Sequence, residues 1–270
     1  MKQVSRRTAL VFGASSGIGF ATAKLLVEHG YTVYGACRRE MQGHGVHWLT
    51  ADVTNPASVQ QAVDKIAGRS DGLDVVVQSA GVGLAGAVED LSDAEIAAQM
   101  GPNFYGTVHV LRAVLPIMRT QRHGRFIQIG SIAGLFAIPY QGYYSASKYA
   151  LEALIEALRM EVKPFGISAC LIEPGDTRTA FTGSRAFCAA PKEAYAQAMS
   201  HAVGVMERDE RNGVRPEKVA KVVLRVIRRS RPPVRVAVGL DYKFILLAKR
   251  LLPAAVLEWM LCGKYLGSGK

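Results

Sequence analysis

The stretch "VFGASSGIGFATAKLL", Val11–Leu26, leaves an apolar run, passes three glycines and enters a helical pattern. Gly13, Gly17 and Gly19 are spaced G-x-x-x-G-x-G. Glycine permits a tight turn and lets backbone N–H groups come close to a diphosphate. The N-terminus of the following helix adds partial positive charge. The spacing differs from the G-x-G-x-x-G of the commoner dinucleotide fingerprint. A glycine turn after a first strand still points to nucleotide binding. Cofactor contacts are expected along Gly13, Ser15, Ser16, Gly17, Ile18 and Gly19.

Outward from this turn, strand-like and helix-like segments alternate. Short apolar or β-branched runs occur at Thr8–Phe12, Thr32–Cys37, Val46–Thr50, Val75–Gln78, Phe126–Ile129, Ile167–Ile172 and Val234–Val238. Helical patterns separate most of them: Gly17–His29, Pro56–Ala67, Asp93–Arg119, Tyr143–Lys163 and Pro216–Arg229. Such alternation implies an α/β fold, a doubly wound, Rossmann-like parallel sheet of about seven strands with helices on both faces. With no low-complexity linker and no internal repeat, the expectation is one domain over residues 1–270. Residues 176–212 form a long excursion read as a substrate lid, and 241–270 an apolar C-terminal extension.

The second strand ends in "VYGACRRE". An acidic residue at this place suits the 2′-hydroxyl of NAD, and an arginine suits the 2′-phosphate of NADP. Arg38 and Arg39 stand there with no acid before them, which favours NADP (NADPH) over NAD.

Bulk properties narrow the classes further. Hydrophobic residues make up 49% of the 270 and charged ones 20%, enough apolar chain for a sizeable core. The four cysteines, Cys37, Cys170, Cys188 and Cys262, include no C-x-x-C pair, which argues against disulfides or zinc and fits a reducing cytoplasm. His44 and His47 read as loop residues, and no metal site is expected. The apolar run after the basic start stops at Phe12, so it reads as a strand and not as a signal peptide. No segment approaches the length of a membrane span.

"GYYSASKYAL", Gly142–Leu151, raises the question of which tyrosine does chemistry. Tyr144 and Lys148 are four apart and share a helix face, whereas Tyr143 and Tyr149 are not placed that way. An ammonium beside a phenol would lower its pKa.

Taken together these motifs resemble the short-chain dehydrogenase/reductase family, from Gly13 to about Thr179. Asp52-Val53 is similar to the family's acidic step after the third strand, which touches adenine. Gln78–Gly81, "QSAG", resembles its N-N-A-G turn, with Ser79 at the second asparagine, followed by Ala80 and Gly81. Asn103 matches the helix-four asparagine that sits at a helix distortion and holds a water, and Gly101-Pro102 before it suits a distorted helix. Ser131 matches the catalytic serine, thirteen positions before Tyr144. Pro174-Gly175 with Thr177 and Thr179 matches the turn at the nicotinamide end. The resemblance implies that Tyr144 is the acid/base. Lys148 and the oxidised nicotinamide would lower its pKa, and Lys148 would also hold the ribose hydroxyls. Ser131 would bond the substrate oxygen, and Asn103 would hold a water leading from Lys148 to solvent.

The C-terminal third is basic. From Arg211 to Arg250 twelve Lys or Arg stand against Glu217 and Asp241, so this segment carries +10 of the chain's +11. In Pro216–Ser230, Lys218, Lys221, Arg225 and Arg228 form a stripe opposite valines and isoleucine. A solvated face is the plain reading, and attraction to an anionic membrane surface is the alternative. Nucleic acid is not expected, because no reading motif accompanies the charge. Asp241–Leu266 reads as a pair of short helices and resembles the tails of the 17β-hydroxysteroid-dehydrogenase-like group.

The resulting expectation is an NADP-dependent oxidoreductase that interconverts a secondary alcohol and a ketone on an apolar, steroid- or lipid-like small molecule. It would be cytoplasmic or membrane-peripheral, and a homodimer or homotetramer. The alternatives are an NAD-dependent alcohol dehydrogenase of the same fold and a non-catalytic dinucleotide-binding regulator.

Overall fold

The apolar runs at the centre of the chain's sheet form strands because their side chains are buried on both of its faces. β1 (Thr8–Phe12), β2 (Thr32–Cys37), β3 (His47–Thr50), β4 (Val75–Gln78), β6 (Gly124–Ile129), β7 (Ile167–Pro174) and β9 (Arg235–Val238) pair in the order β3-β2-β1-β4-β6-β7-β9, every pair parallel. The computed structural model describes residues 7–67, 72–239, 242, 249 and 251–267. The expected doubly wound sheet is therefore present, with seven strands.

Alternate side chains of each strand feed two cores. Leu10 and Phe12 of β1 face α2 (Pro56–Ala67), α4 (Gly106–Gln121) and α5 (Gly142–Val162), where Val63, Val114 and Ile155 are fully buried. Ala9 and Val11 face α1 (Gly17–Glu28) and α7 (Pro216–Arg228), against Leu26, Val219 and Val223. Burying one such aliphatic side chain is worth about 1.5–3 kcal/mol. The apolar face of α7 is thus spent on the core, and its basic stripe of Lys218, Lys221, Arg225 and Arg228 is exposed.

After β1 the chain builds outward through β2 and β3. It then returns to the other side of β1 with β4. That reversal is a topological switch point, and open α/β sheets bind ligands in the crevice beyond the strand ends there. The turns after β1 and β4 consequently meet.

The helical pattern expected over Asp93–Arg119 is not one helix. α3 (Asp93–Met100), closed by a capping box between Ser92 and Glu95, gives way to a π-turn over Gly101–Tyr105, and α4 continues to Gln121. Pro102 lacks the N–H that an α-helix would use, so the ladder widens by one residue here. The 176–212 excursion contains a long helix, α6 (Glu193–Asn212). A two-residue ladder not expected from the sequence pairs β5 (Leu84–Ala85) with β8 (Ala186–Phe187). Of the two tail helices expected in Asp241–Leu266, α8 (Ala254–Tyr265) is present and packs Tyr265 on Ala202 and Met206 of α6. The first falls largely outside the described residues, as do the basic residues that open the chain.

Candidate active site

The two turns at the switch point are in contact at Gly13. Its φ is +72°, and a Cβ there would lie 2.6 Å from Ala80 N. Only glycine fits that backbone and that approach. A Cβ at Gly19 would lie 2.2 Å from the Gly13 carbonyl oxygen, so the first turn of α1 closes on the loop. Gly17, at φ +54°, lies against Thr179 of the β7 turn. Ser16 precedes α1 in extended backbone with no side-chain cap, and the first turn carries no acidic residue. Uncapped N–H groups at a helix start, beside a bare glycine floor, suit a diphosphate.

Around this floor the expected cofactor residues converge. Arg39 Nη2 donates to Ser15 O at 2.8 Å, linking the end of β2 to the glycine turn. Arg38 is exposed and engages no partner among the described residues. Asp52 Oδ1 accepts from Thr54 N (2.9 Å) and Thr54 Oγ1 (2.8 Å), and Val53 O bonds His109 Nδ1 at 2.8 Å. Gln78 Oε1 accepts from Ala80 N at 3.1 Å, shaping the Ser79–Gly81 turn that lacks the second asparagine. Thr177 Oγ1 donates to Gly175 O at 2.9 Å, and Thr179 Oγ1 accepts from Phe181 N at 3.2 Å.

The second group lies on α5, the π-turn and the loop after β6. Asn103 is buried in the π-turn. Its Nδ2 donates to Val82 O (3.1 Å) and to Ser147 Oγ (3.0 Å), and its Oδ1 accepts from Val82 N (2.8 Å). It therefore fastens the β4 turn to α5. Ser131 Oγ accepts from Ala133 N at 3.1 Å, and its hydroxyl is near enough to the Tyr144 phenol to act on its pKa. Lys148 Nζ donates to Ile129 O at 3.2 Å and stands 5.7 Å from the centre of the Tyr144 ring. Gly134 allows the Ser131 loop to press on α5, since a Cβ there would sit 3.0 Å from Lys148 O. Tyr143 and Tyr149 point elsewhere: the first donates to Val88 O, the second to Leu135 O at 2.5 Å.

The electrostatics differ from the sequence expectation in one respect. Lys148 does not hold the Tyr144 phenol down. Burial pushes it up to about 12, with the Ser131 hydroxyl opposing and the Glu210 carboxylate adding to the rise. Burial likewise pulls Lys148 down to about 8, against the attraction of Glu152. Both shifts are toward the neutral form, because desolvation penalises charge.

The sequence reading missed three charged residues, one each on α5, β7 and β9. Glu152 continues the Tyr144–Lys148 spacing by one more turn. Its carboxyl meets that of fully buried Glu173 at the end of β7, and Arg235 Nε from β9 approaches both, at 3.2 and 3.4 Å. Burial and the Glu152 charge push Glu173 up to about 8, so it carries the proton that Glu152 accepts. The i+8 position of Glu152 was a usable signal; nothing local marks Glu173 or Arg235 as its partners. Among the described residues no cluster could hold a metal ion.

A switch-point crevice floored by glycines, with a serine, tyrosine and lysine on one wall, defines an α/β oxidoreductase acting between CH–OH and ketone groups. The family model of the short chain dehydrogenases matches residues 7–186, and the chain belongs to that family. It is 44% identical over 233 residues to the 3-ketodihydrosphingosine reductase of Bacteroides thetaiotaomicron, covering 85% of this chain and 87% of the relative. It is 33% identical over 262 residues to 17-beta-hydroxysteroid dehydrogenase type 1 of Homo sapiens, covering 86% and 77%. A short-chain dehydrogenase/reductase of Burkholderia phymatum, solved in complex with NAD, superposes with a TM-score of 0.80 at 25% identity, over 96% of this chain and 97% of that one.

Proposed function

We propose that this protein reduces a ketone on a largely apolar substrate, with NADPH as its cofactor. The observation that carries the reading is the meeting of Ser131, Tyr144 and Lys148 beside the glycine floor. The floor and uncapped α1 N-terminus would hold the diphosphate, with Asp52, Val53 and Ser79–Gly81 at the adenine side. Pro174, Gly175, Thr177, Thr179, Tyr144 and Lys148 would line the nicotinamide end. Exposed Arg38, and Arg39 anchored on Ser15, supply charge for a 2′-phosphate. When bound, the dinucleotide supplies the hydride.

The chain's own residues supply the proton and the alignment. Tyr144 donates the phenolic proton to the substrate oxygen as charge develops on it. Ser131 donates a hydrogen bond to the same oxygen. A phenol held near 12 is protonated throughout the working range, which suits a proton donor and therefore the reductive direction. Lys148 carries charge below about 8, and its ammonium, 5.7 Å from the ring centre, stabilises the phenolate left behind until that regains a proton from solvent. Asn103 keeps the β4 turn and α5 in register. That the 44% identical relative is itself a keto-group reductase supports the direction.

Residues 176–212 are read as the lid of this site. Phe181 packs against Tyr144 at a tilt of 51°, with ring centres 5.7 Å apart, and a Cβ at Gly83 would lie 2.6 Å from its ring. Peripheral membrane contact remains part of the reading: Leu251, Trp259 and Met260 are 74, 75 and 51% exposed, and no helix of the described residues is long and apolar enough to cross a membrane. The test is a graded ketone series with NADPH and with NADH. Catalytic efficiency should rise with chain length, each buried methylene adding roughly 0.8 kcal/mol, and NADPH should serve better than NADH. A flat series, or preference for NADH, would sink the respective half of the reading.

A further inference from the structure

The lid segment holds a charge pair that the ketone-reductase reading leaves unused. Arg185, between the Thr182–Ser184 turn and β8, has a side chain with no exposed surface. It forms an ion pair with Glu210 of α6, whose side chain is 15% exposed. The pairing consumes only part of either group. Arg185 Nε and Nη1 and Glu210 Oε2 have no partner. Buried donors and acceptors are nearly always satisfied, so three open positions on one pair call for an explanation.

The position of the pair supplies one. The Arg185 guanidinium lies 5.9 Å from the centre of the Phe181 ring, and Phe181 packs at a tilt against Tyr144. Arg185 is thus one ring away from the proposed proton donor. Glu210 also lines a cavity of about 250 Å³ walled by Arg178, Thr179, Thr182, Glu207 and Arg211. Pockets that enclose a whole drug-sized ligand run to about 300–1,000 Å³ and are mostly apolar. This one is smaller, and its wall carries charged side chains, Glu210 among them, while Arg185 is not one of its wall residues. The cavity is the size of a head group, not of the apolar substrate as a whole. Its charges are mostly matched: Glu207 pairs with Arg211 at 2.8 Å, Glu210 pairs with Arg185, and Arg178 is exposed to solvent.

We infer that Arg185 and Glu210 form a head-group subsite, reading a hydroxyl or amine carried close to the reacting ketone of an otherwise apolar substrate. The inference rests on the proposed ketone reduction and refines its substrate class. The free guanidinium N–H groups donate to a hydroxyl oxygen, and the free carboxylate oxygen accepts from an O–H or N–H. A neutral pair with open donors and an open acceptor matches a polar group of this kind better than a plain alkyl ketone, which would leave all three positions unmet. A second anion gains nothing beside Glu210.

The experiment compares kcat/KM with NADPH for two long-chain 3-ketones of equal length, one plain and one bearing a 1-hydroxyl and a 2-amine. The wild type should prefer the functionalised ketone by at least about tenfold. Arg185→Met should bring the preference down toward one, with most of the loss in KM. Because that variant strands Glu210, Arg185→Met/Glu210→Leu is made beside it; apolar replacement of a whole buried pair is usually tolerated. NADPH titration checks that each variant is folded. The inference is overturned if the wild type shows no preference, if it prefers a carboxylate-bearing ketone, or if the double variant loses both ketones in equal proportion. A wild type that reduces neither ketone would instead overturn the ketone-reductase reading itself.

Discussion

At the scale of single residues, Tyr144 is defined by what it loses on folding. Its spacing from Lys148 was visible in the sequence, but the direction of its pKa was not. The i, i+4 relation brings an ammonium near, whereas the loss of water around the ring is a property of the closed fold, and that loss dominates. Tyr144→Phe keeps the ring and its packing on Phe181 and removes the proton. Ketone turnover should fall by at least about 10²-fold with NADPH affinity retained, while Tyr143→Phe stays close to wild type. Stopped-flow cofactor oxidation and fluorescence titration measure the two effects. The pH profile is a separate check. Alcohol oxidation needs the phenolate and should climb steadily from about pH 7 to about pH 10. Ketone reduction uses the neutral phenol, so it should not climb, and should decline above about 8 as Lys148 loses its charge. A reduction rate that climbs in parallel with oxidation would contradict the assignment of the donor. Arg185 shows the opposite limit of legibility: one arginine in a loop of small residues carries no pattern, and only the fold buries it.

At the scale of elements, the strands and long helices were legible because each has an apolar period and a terminator. α1, for instance, ends where Gly30, at φ +79°, lets the chain leave the helix. The π-turn was half legible, since Gly101-Pro102 announced a disturbance without stating its kind. β5 and β8 were invisible, because two residues cannot express an alternation, and their pairing joins segments about a hundred positions apart. The segment between β2 and β3 carries the proposed choice of NADPH. Its two arginines have different duties: Arg39 is held by Ser15, and Arg38 is open to solvent. Arg38→Ala should weaken NADPH binding by about 1.5–3 kcal/mol, the worth of a hydrogen bond to a charged group, and leave NADH nearly unchanged. Calorimetric titration of both cofactors reads this directly, and equal losses would mean that Arg38 meets the part common to both. Arg39→Ala should weaken both, because it also frees the glycine turn.

At the scale of the whole molecule, the Glu152–Glu173–Arg235 cluster joins α5, β7 and β9, and it makes stability depend on pH. Folded Glu173 keeps its proton up to about 8, whereas an unfolded glutamate loses it near 4.5. Between those values the folded state binds the extra proton, so stability falls as pH rises through that window. Glu173→Gln keeps the donor to Glu152 and does not titrate. Its melting temperature should gain on that of the wild type between about pH 5 and about pH 8, and a constant difference would show that the cluster is not protonated as described. The strand order has a further consequence, for synthesis. Each strand, as it leaves the ribosome, finds an open edge already waiting: β2 beside β1, β3 beside β2, β4 on the other side of β1, then β6, β7 and β9 each against the strand made before it. No strand of this sheet has to wait for a later one to supply its partner. The two glycine-lined turns of the crevice are complete as soon as β4 docks, with more than half of the chain still to be made, and the growing edge is closed last by the four residues of β9.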